Sequence, residues 1–146
     1  MVNWTTVRLL LVLSLILGWS SKQVDYTTAF LHAHITDKVF VEMPQGFREP
    51  GKVLKLKRSL YGLKQSPRNF FLHLKGKLEG VGFEQSSVDP CLFISDKVLL
   101  VVYMDNTLLF SPKAEFIDEM IKKMKNSGIK LEVEEQDVAG FLGISI

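Results

Sequence analysis

Two apolar runs joined by a short polar tip constrain the fold of this chain more than any other feature. Residues 98–102 and 107–110 are almost entirely apolar, and the tip between them, residues 103–106, contains Asp105 and Asn106. Runs of this length on either side of an Asp-Asn pair predict a β-hairpin. Beside a second carboxylate, Asp105 could bind a divalent cation. By itself it only shapes the turn, and the local sequence favours that simpler role.

Composition indicates a folded protein with one hydrophobic core. The chain has 146 residues, of which 47% are hydrophobic and 23% charged, and this excludes a disordered chain. A net charge of +2 is too small to indicate a nucleic-acid partner. Cys91 is the only cysteine, so an intrachain disulfide is excluded. Its apolar neighbours predict a buried structural thiol in a reducing compartment.

The N-terminus allows two interpretations. The mostly apolar run 9–17 has the length of a signal-peptide hydrophobic region, which would suit a small secreted or membrane-associated protein with residues 1–20 as its leader. However, the run is shorter than the roughly 20 residues of a membrane span, and no small-residue cleavage site follows it. We therefore favour a buried helix that is capped by Thr5 or Thr6 and ended by Gly18.

Periodicity and turn residues predict the order helix, three strands, helix, three strands, helix, strand. Two helices open at Ser66-Pro67 and Ser111-Pro112, with the serines as N-caps, and end at Gly80 and Gly128. The predicted core stripes are Phe70, Phe71, Leu74 and Leu78 on one helix and Phe116, Ile117, Met120, Ile121 and Met124 on the other. The predicted strands are 22–25, 38–43, 53–57, 90–94, the two hairpin runs and 140–146. This pattern predicts an α+β fold, with helices packed on one face of an antiparallel sheet.

Several acidic residues are candidate ligands of a cation. Asp25 ends the first predicted strand, and if the hairpin lay beside that strand, Asp25 and Asp105 would converge on a cation such as Mg²⁺. Without further information, a turn or cap role for Asp25 is preferred. The acidic stretch Glu132, Glu134, Glu135 and Asp137 predicts a solvated loop or strand edge, because its carboxylates do not obviously converge.

A basic segment lies between residues 52 and 68, which include no acidic residue. Its members are Lys52, Lys55, Lys57, Arg58, Lys64 and Arg68. With Tyr61 among them and Phe70 nearby, they could follow a phosphate backbone. Alternatively, Lys55 and Lys57 form the solvated face of an amphipathic strand. The residues alone support both interpretations equally.

Five segments, in order, resemble the reverse transcriptases of Ty1/copia-type retrotransposons. Residues 24–32 (VDYTTAFLH) resemble the first catalytic motif of that family, and residues 61–68 (YGLKQSPR) its YGLKQ-[AS]-PR block. Residues 103–106 (YMDN) stand where the family has Tyr-Val-Asp-Asp. The segments 89–93 and 141–144 also match. Agreement of five spaced segments is far more specific than any one of them.

The resemblance implies a palm-like antiparallel sheet and a role for each matching residue. Asp25 and Asp105 would bind two Mg²⁺ ions, with Asn106 as the third catalytic position. Phe30 would exclude a ribose 2′-hydroxyl, while Gln45 and Tyr26 would contact the nucleotide. The residues implied in template or primer binding are Lys64, Ser66, Pro67, Arg68, Tyr103 and Met104. Residues 141–143 lie where related enzymes grip the primer.

Two departures from the family pattern bear on activity. Asn106 stands in place of Asp, so the metal site loses an anionic donor, and Ala33 stands in place of Gly. Finger segments that precede the matching region in the family, and its thumb and ribonuclease H regions, are not among these 146 residues. We therefore expect residues 1–146 to form a single partial reverse transcriptase domain with incomplete fingers, impaired or inactive as an isolated chain.

The expected partners are an RNA or DNA template-primer and a deoxynucleoside triphosphate, and missing polymerase segments or another chain would be needed to complete the enzyme. No membrane is expected, and the predicted location is the cytoplasm or nucleus rather than outside the cell. The alternative is a non-catalytic nucleic-acid-binding remnant that uses the basic segment.

Overall fold

The computed structural model describes residues 2–103 and 106–133, which contain three helices and eight strands. The helices are α1 (Trp4–Leu17), α2 (Ser66–Gly80) and α3 (Ala114–Asn126). The strands are β1 (Ser20–Tyr26), β2 (Phe40–Val41), β3 (Leu54–Lys55), β4 (Glu84–Gln85), β5 (Leu92–Ile94), β6 (Leu99–Tyr103), β7 (Asn106–Ser111) and β8 (Leu131–Val133). A short 3₁₀ helix covers Ala29–His32. The fold is therefore α+β, as the sequence predicts.

Six of the strands form one antiparallel sheet in the order β4-β5-β6-β7-β1-β8, and β2 pairs with β3 separately. The predicted hairpin is confirmed, because β6 and β7 pair with Tyr103 opposite Asn106. Met104 and Asp105 lie outside the described residues. The pairing of β7 with β1 joins residues 81 to 91 positions apart in the chain.

The chain divides into two compact units. One contains the described residues up to Thr27 and from Leu74 onward, and it holds the six-stranded sheet together with α1 and α3. The other is Thr28–His73, which holds the 3₁₀ helix and the β2-β3 pair. The division falls within α2, whose first half belongs to the second unit.

Both faces of the sheet contribute to the core of the first unit, since the consecutive β7 residues Leu108 and Leu109 are both fully buried, and α3 covers one of these faces. The α3 stripe is buried as predicted, apart from half-buried Phe116, and α3 contacts β1 and β7. Lys22 of β1 pairs with Asp118 of α3, which places α3 on the Lys22 face of the strand. The largest fully buried side chains of the sheet are Phe93, Phe110, Leu100, Leu108 and Leu109. Each such side chain contributes about 1.5–3 kcal/mol on burial.

Three predicted helix caps are wrong. The α1 N-cap is Asn3, whose Oδ1 accepts a hydrogen bond of 3.0 Å from the backbone N–H of Thr5, so Thr5 and Thr6 lie within the helix. Ser66 is the first residue of α2, and its hydroxyl donates to the carbonyl of Leu60 instead of capping the helix. Ser111 ends β7 opposite Ser20, because its backbone continues the sheet pairing.

The ends of the helices agree better with the prediction. Gly18 caps α1 with a φ of +64°, and Gly80 is the last residue of α2. Gly128 follows the Ser127 C-cap of α3 with a φ of +91°. These left-handed conformations suit glycine, which has no Cβ to clash with the following carbonyl.

Only one face of α1 is buried, which corrects the prediction of a buried helix. Its buried residues are Val7, Leu10 and Ser14, whereas Leu15 and Ile16 are 74% and 73% exposed. Because residues 9–17 are almost all apolar, their sequence pattern does not distinguish the buried face of α1 from the exposed one. Within the described residues, no helix has both the length and the apolar content needed to cross a membrane.

Two short strands, β4 and β8, were not predicted. Glu84 and Gln85 of β4 are both polar, and two polar residues carry no strand pattern. Their pairing with β5 therefore could not be predicted from the local sequence. The strand β8 begins the acidic stretch that was predicted as a loop or strand edge, and within the described sheet it is an edge strand beside β1. The strand predicted at 140–146 lies outside the described residues. Cys91 is buried, as predicted.

Candidate active site

Asp25 lies in the middle of a row of oxygen-bearing side chains that crosses three strands. Its cross-strand partner on β7 is Asn106, and its partner on β8 is Glu132. Residues directly opposite in antiparallel strands point to the same face, with Cβ atoms about 4.5–5.5 Å apart. Asp25 and Asn106 are half-buried, whereas Glu132 is exposed. The structure therefore brings two of the predicted catalytic residues together, and adds a carboxylate that was not predicted as a ligand.

The opposite face of β1 belongs to the core. Because side chains alternate along a strand, Lys22, Val24 and Tyr26 point away from the Asp25 face. The Tyr26 hydroxyl is joined to the Thr107 hydroxyl by a buried hydrogen bond of 2.8 Å. Burial raises the pKa of Tyr26 far above its ordinary value, which the bond to Thr107 only partly offsets. The structure thus places Tyr26 as a core residue, and its predicted contact with a nucleotide stays a prediction.

Gln23 shares the Asp25 face and is 5% exposed. It lies opposite Leu108, one pleat along β1 from the Asp25–Asn106 pair. Its Oε1 is buried and accepts no hydrogen bond from the residues that the structure describes. The signal available in the sequence was its position two residues before Asp25, which puts the two side chains on the same face of a strand.

The donor set of this face fits a magnesium ion. Carboxylate and amide oxygens are the ligands that Mg²⁺ takes, and Asp25, Glu132 and Asn106 offer only these. The described residues contain no group of three His, Cys, Asp or Glu side chains placed to hold a metal. Of the remaining predicted positions on this face, Tyr103 is half-buried opposite Asn106. Asp105 and Met104 lie outside the described residues, as do residues 141–143.

In the second unit, Phe30 is packed inside an aromatic cluster. It is 6% exposed, with its ring centroid 4.5 Å from that of Tyr61 and 6.0 Å from that of Phe70. Tyr61 is 54% exposed, so it covers the cluster and presents an aromatic surface to solvent. Gln45 is exposed in the turn from Pro44 to Phe47.

All six cations of the basic segment are exposed. Lys52 pairs with Glu49, and the guanidinium of Arg58 donates to the carbonyl of His32 at 3.0 Å. Lys64 and Arg68 flank the start of α2, at which Ser66 is buried and Pro67 half-buried. The segment therefore offers solvent-facing positive charge next to the exposed ring of Tyr61.

The described fold has three helices and an antiparallel sheet, and this is compatible with part of a reverse transcriptase domain. Residues 1–146 match the family described as reverse transcriptase (RNA-dependent DNA polymerase). The chain therefore belongs to the reverse transcriptase family, and the resemblance to Ty1/copia-type enzymes is confirmed.

Curated relatives come from plant and yeast transposons. The chain is 33% identical over 116 residues to the retrovirus-related Pol polyprotein from transposon TNT 1-94 of Nicotiana tabacum, covering 74% of this chain and 9% of the relative. It is 36% identical over 112 residues to the retrovirus-related Pol polyprotein from transposon RE1 of Arabidopsis thaliana, covering 72% of this chain and 8% of the relative. For the transposon Ty1-DR4 Gag-Pol polyprotein of Saccharomyces cerevisiae, the identity is 32% over 104 residues, covering 70% and 6%. The chain thus spans less than a tenth of each relative.

Proposed function

We propose that this chain is part of an RNA-directed DNA polymerase whose six-stranded sheet serves as the palm. The observation that carries the proposal is the register that places Asp25 directly opposite Asn106 in adjacent interior strands. Family membership supports the reaction class, and the oxygen donors of this face support divalent cations as the cofactor. Both units would belong to one partial domain, with Thr28–His73 as incomplete fingers.

Each residue has a definite part in this proposal. Bound Mg²⁺ supplies charge that activates a primer 3′-hydroxyl and neutralises the phosphates of an incoming deoxynucleotide. Asp25 contributes the anionic donor, while Asn106 contributes a neutral carbonyl oxygen where the family has a carboxylate. Losing one anionic donor weakens cation binding, so the reaction is slow in this chain. The basic segment would hold the phosphates of the template-primer.

Primer extension tests the proposal directly. Extension of a primer on an RNA template with Mg²⁺ is compared for the unmodified chain and Asn106→Asp, each with and without Asp25→Ala. We expect very poor extension by the unmodified chain, an increase on Asn106→Asp, and loss of that increase with Asp25→Ala. If the unmodified chain extends the primer robustly and Asp25→Ala abolishes this, the predicted impairment of the polymerase is contradicted. If Asp25→Ala has no effect on extension, the proposed metal site is contradicted.

Cation binding provides a second measurement that does not depend on turnover. The free Mn²⁺ concentration, followed by electron paramagnetic resonance, gives an affinity for each variant. We expect Asn106→Asp to tighten Mn²⁺ binding on the order of tenfold and Asp25→Asn to weaken it at least as much. Equal affinities for all three proteins would contradict the proposed site even if none of them extends a primer.

A second candidate function is nucleic-acid binding without catalysis. The observation that favours it is the exposure of all six cations of the basic segment together with the exposed ring of Tyr61. Cations that follow the backbone, combined with an aromatic ring that stacks on bases, are the features of sequence-tolerant single-strand binding. Salt-sensitive binding of an RNA-DNA primer-template, with no extension by Asn106→Asp, would favour this function over the first.

A further inference from the structure

Asp25 and Glu132 are like charges placed directly opposite each other in antiparallel strands. Such a pair destabilises a sheet, because both side chains point to the same face and their carboxylates repel. A divalent cation between the two carboxylates converts that repulsion into attraction. Glu132 lies on β8, an edge strand of the described sheet, and is exposed, so a cation can reach it from solvent.

Gln23 provides an independent observation on the same face. Its Oε1 is buried, and none of the described residues donates a hydrogen bond to it. A buried carbonyl oxygen without a donor is unfavourable and is rare in folded proteins unless a water or ion occupies the site. Gln23 is one pleat from Asp25 and diagonal to Asn106, a separation of about 7–8 Å that one water molecule can bridge.

We infer that Glu132 is a second carboxylate ligand of the cation held at Asp25, and that Gln23 positions this cation through one of its bound waters. The inference rests on the proposed cation site and adds two residues to it. Mg²⁺ commonly keeps several waters, and a metal-bound water is a strong hydrogen-bond donor, which is the group that Gln23 Oε1 lacks. Glu132 supplies an anionic oxygen in a site where Asn106 has removed one.

Mn²⁺ affinity of the full chain tests both residues. Glu132→Gln removes the charge with little change in shape, and Gln23→Met replaces the acceptor by an apolar chain of similar length. We expect each to weaken Mn²⁺ binding on the order of tenfold. Gln23→Glu keeps an acceptor oxygen at the same position and should bind at least as tightly as the unmodified chain.

Matched controls separate a role in binding from a role in packing. Glu115→Gln removes an exposed carboxylate from α3, and Leu108→Met changes the cross-strand partner of Gln23 at nearly constant volume. Both should leave Mn²⁺ affinity unchanged. Without metal, Glu132→Gln should raise the urea midpoint because the repulsion from Asp25 is removed. With saturating Mn²⁺, the unmodified chain should gain more stability than the variant.

The outcomes distinguish the roles of Glu132 and Gln23 from the proposed cation site at Asp25 on which they rest. If Asp25→Asn weakens Mn²⁺ binding and Glu132→Gln leaves it within twofold, the role of Glu132 is overturned and the Asp25 site stands. If Asp25→Asn also has no effect, both fail. Unchanged affinity in a folded Gln23→Met overturns the role of Gln23. If Gln23→Met does not unfold cooperatively, Gln23→Leu is used in its place. If Mn²⁺ affinity falls in the apolar variant and in Gln23→Glu alike, Gln23 has a role in packing alone.

Discussion

The hydroxyls of Tyr26 and Thr107 share a buried hydrogen bond of 2.8 Å across the adjacent strands β1 and β7. These strands also carry Asp25 and Asn106, whose side chains point to the other face. A polar pair in the core therefore fixes the register on which the proposed site depends. Slipping that register by one residue would turn every side chain of β1 to the wrong face.

Removing one partner of this pair should cost more than removing both. Thr107→Val keeps the shape of the side chain but removes the hydrogen bond between Thr107 and the buried Tyr26 hydroxyl, which we expect to destabilise the fold by about 1–3 kcal/mol. Tyr26→Phe combined with Thr107→Val should recover part of that loss. Urea unfolding of the two single variants and the double variant measures the coupling. Additive losses to within about 0.5 kcal/mol would show that the hydroxyls do not interact.

Stability should fall at alkaline pH because of Tyr26. Burial raises the pKa of this tyrosine above the value of about 10 that it has in an unfolded chain. Above that unfolded pKa the unfolded state releases a proton that the folded state retains, so the stabilisation present below pH ~10 is lost as pH rises. The slope approaches about 1.4 kcal/mol per pH unit for one proton. Tyr26→Phe should show a shallower loss in urea unfolding between pH 9 and 11, and an equal slope would contradict the assignment.

Two glycines should respond to alanine in opposite directions. Gly128 has a φ of +91°, and a Cβ there would lie 3.7 Å from Lys77 Nζ, which donates to the carbonyl of Ser127 at 3.0 Å. We expect Gly128→Ala to destabilise the fold by about 1–2 kcal/mol because of its left-handed backbone. Gly76 lies within α2 in open space, so Gly76→Ala should stabilise by about 0.5–1 kcal/mol. Thermal unfolding of both variants checks the difference in sign.

The basic segment should set the salt dependence of nucleic-acid binding. Lys55→Gln combined with Lys64→Gln removes two exposed cations, and we expect the slope of log affinity against log salt concentration for a single strand to fall by about 1.4. The control, Lys122→Gln with Lys125→Gln, makes the same charge change on the exposed side of α3. Titrations over a range of salt concentrations measure both slopes. Identical slopes in the two double variants would assign binding to net charge rather than to this segment.

Local patterns in the sequence predicted most elements of the fold, because each has a strong short-range signal. The stripe from Ile117 to Met124 gave α3, and the apolar runs around residues 103–106 gave the β6-β7 hairpin. Helix caps were less predictable. Asn3, Thr5 and Thr6 can all accept a backbone hydrogen bond. Asn3 is the N-cap, and its backbone N–H donates to Asp89 Oδ2 at 3.1 Å, a contact between residues 86 positions apart that no local pattern contains.

The candidate site was predictable only in part. The motif resemblance identified Asp25 and Asn106, but their direct opposition is a pairing between residues 81 positions apart, which no local pattern contains. Glu132 was grouped with its acidic neighbours as a solvated loop or strand edge, since the residues that pair β8 with β1 are even farther apart in sequence. Gln23 appeared to be an ordinary strand residue until its burial and its lack of a described donor were known.

Burial of the lone thiol gives this protein an internal reporter of local opening. The Cys91 N–H donates to Asp89 Oδ1 at 2.9 Å and its carbonyl accepts from Val102 at 2.9 Å, while burial raises the pKa of its thiol. Because the closed form covers the sulfur, a disulfide reagent reacts with it mainly when the structure around Cys91 opens locally. The rate of modification at each denaturant concentration therefore measures how often the surroundings of Cys91 open, without an engineered probe.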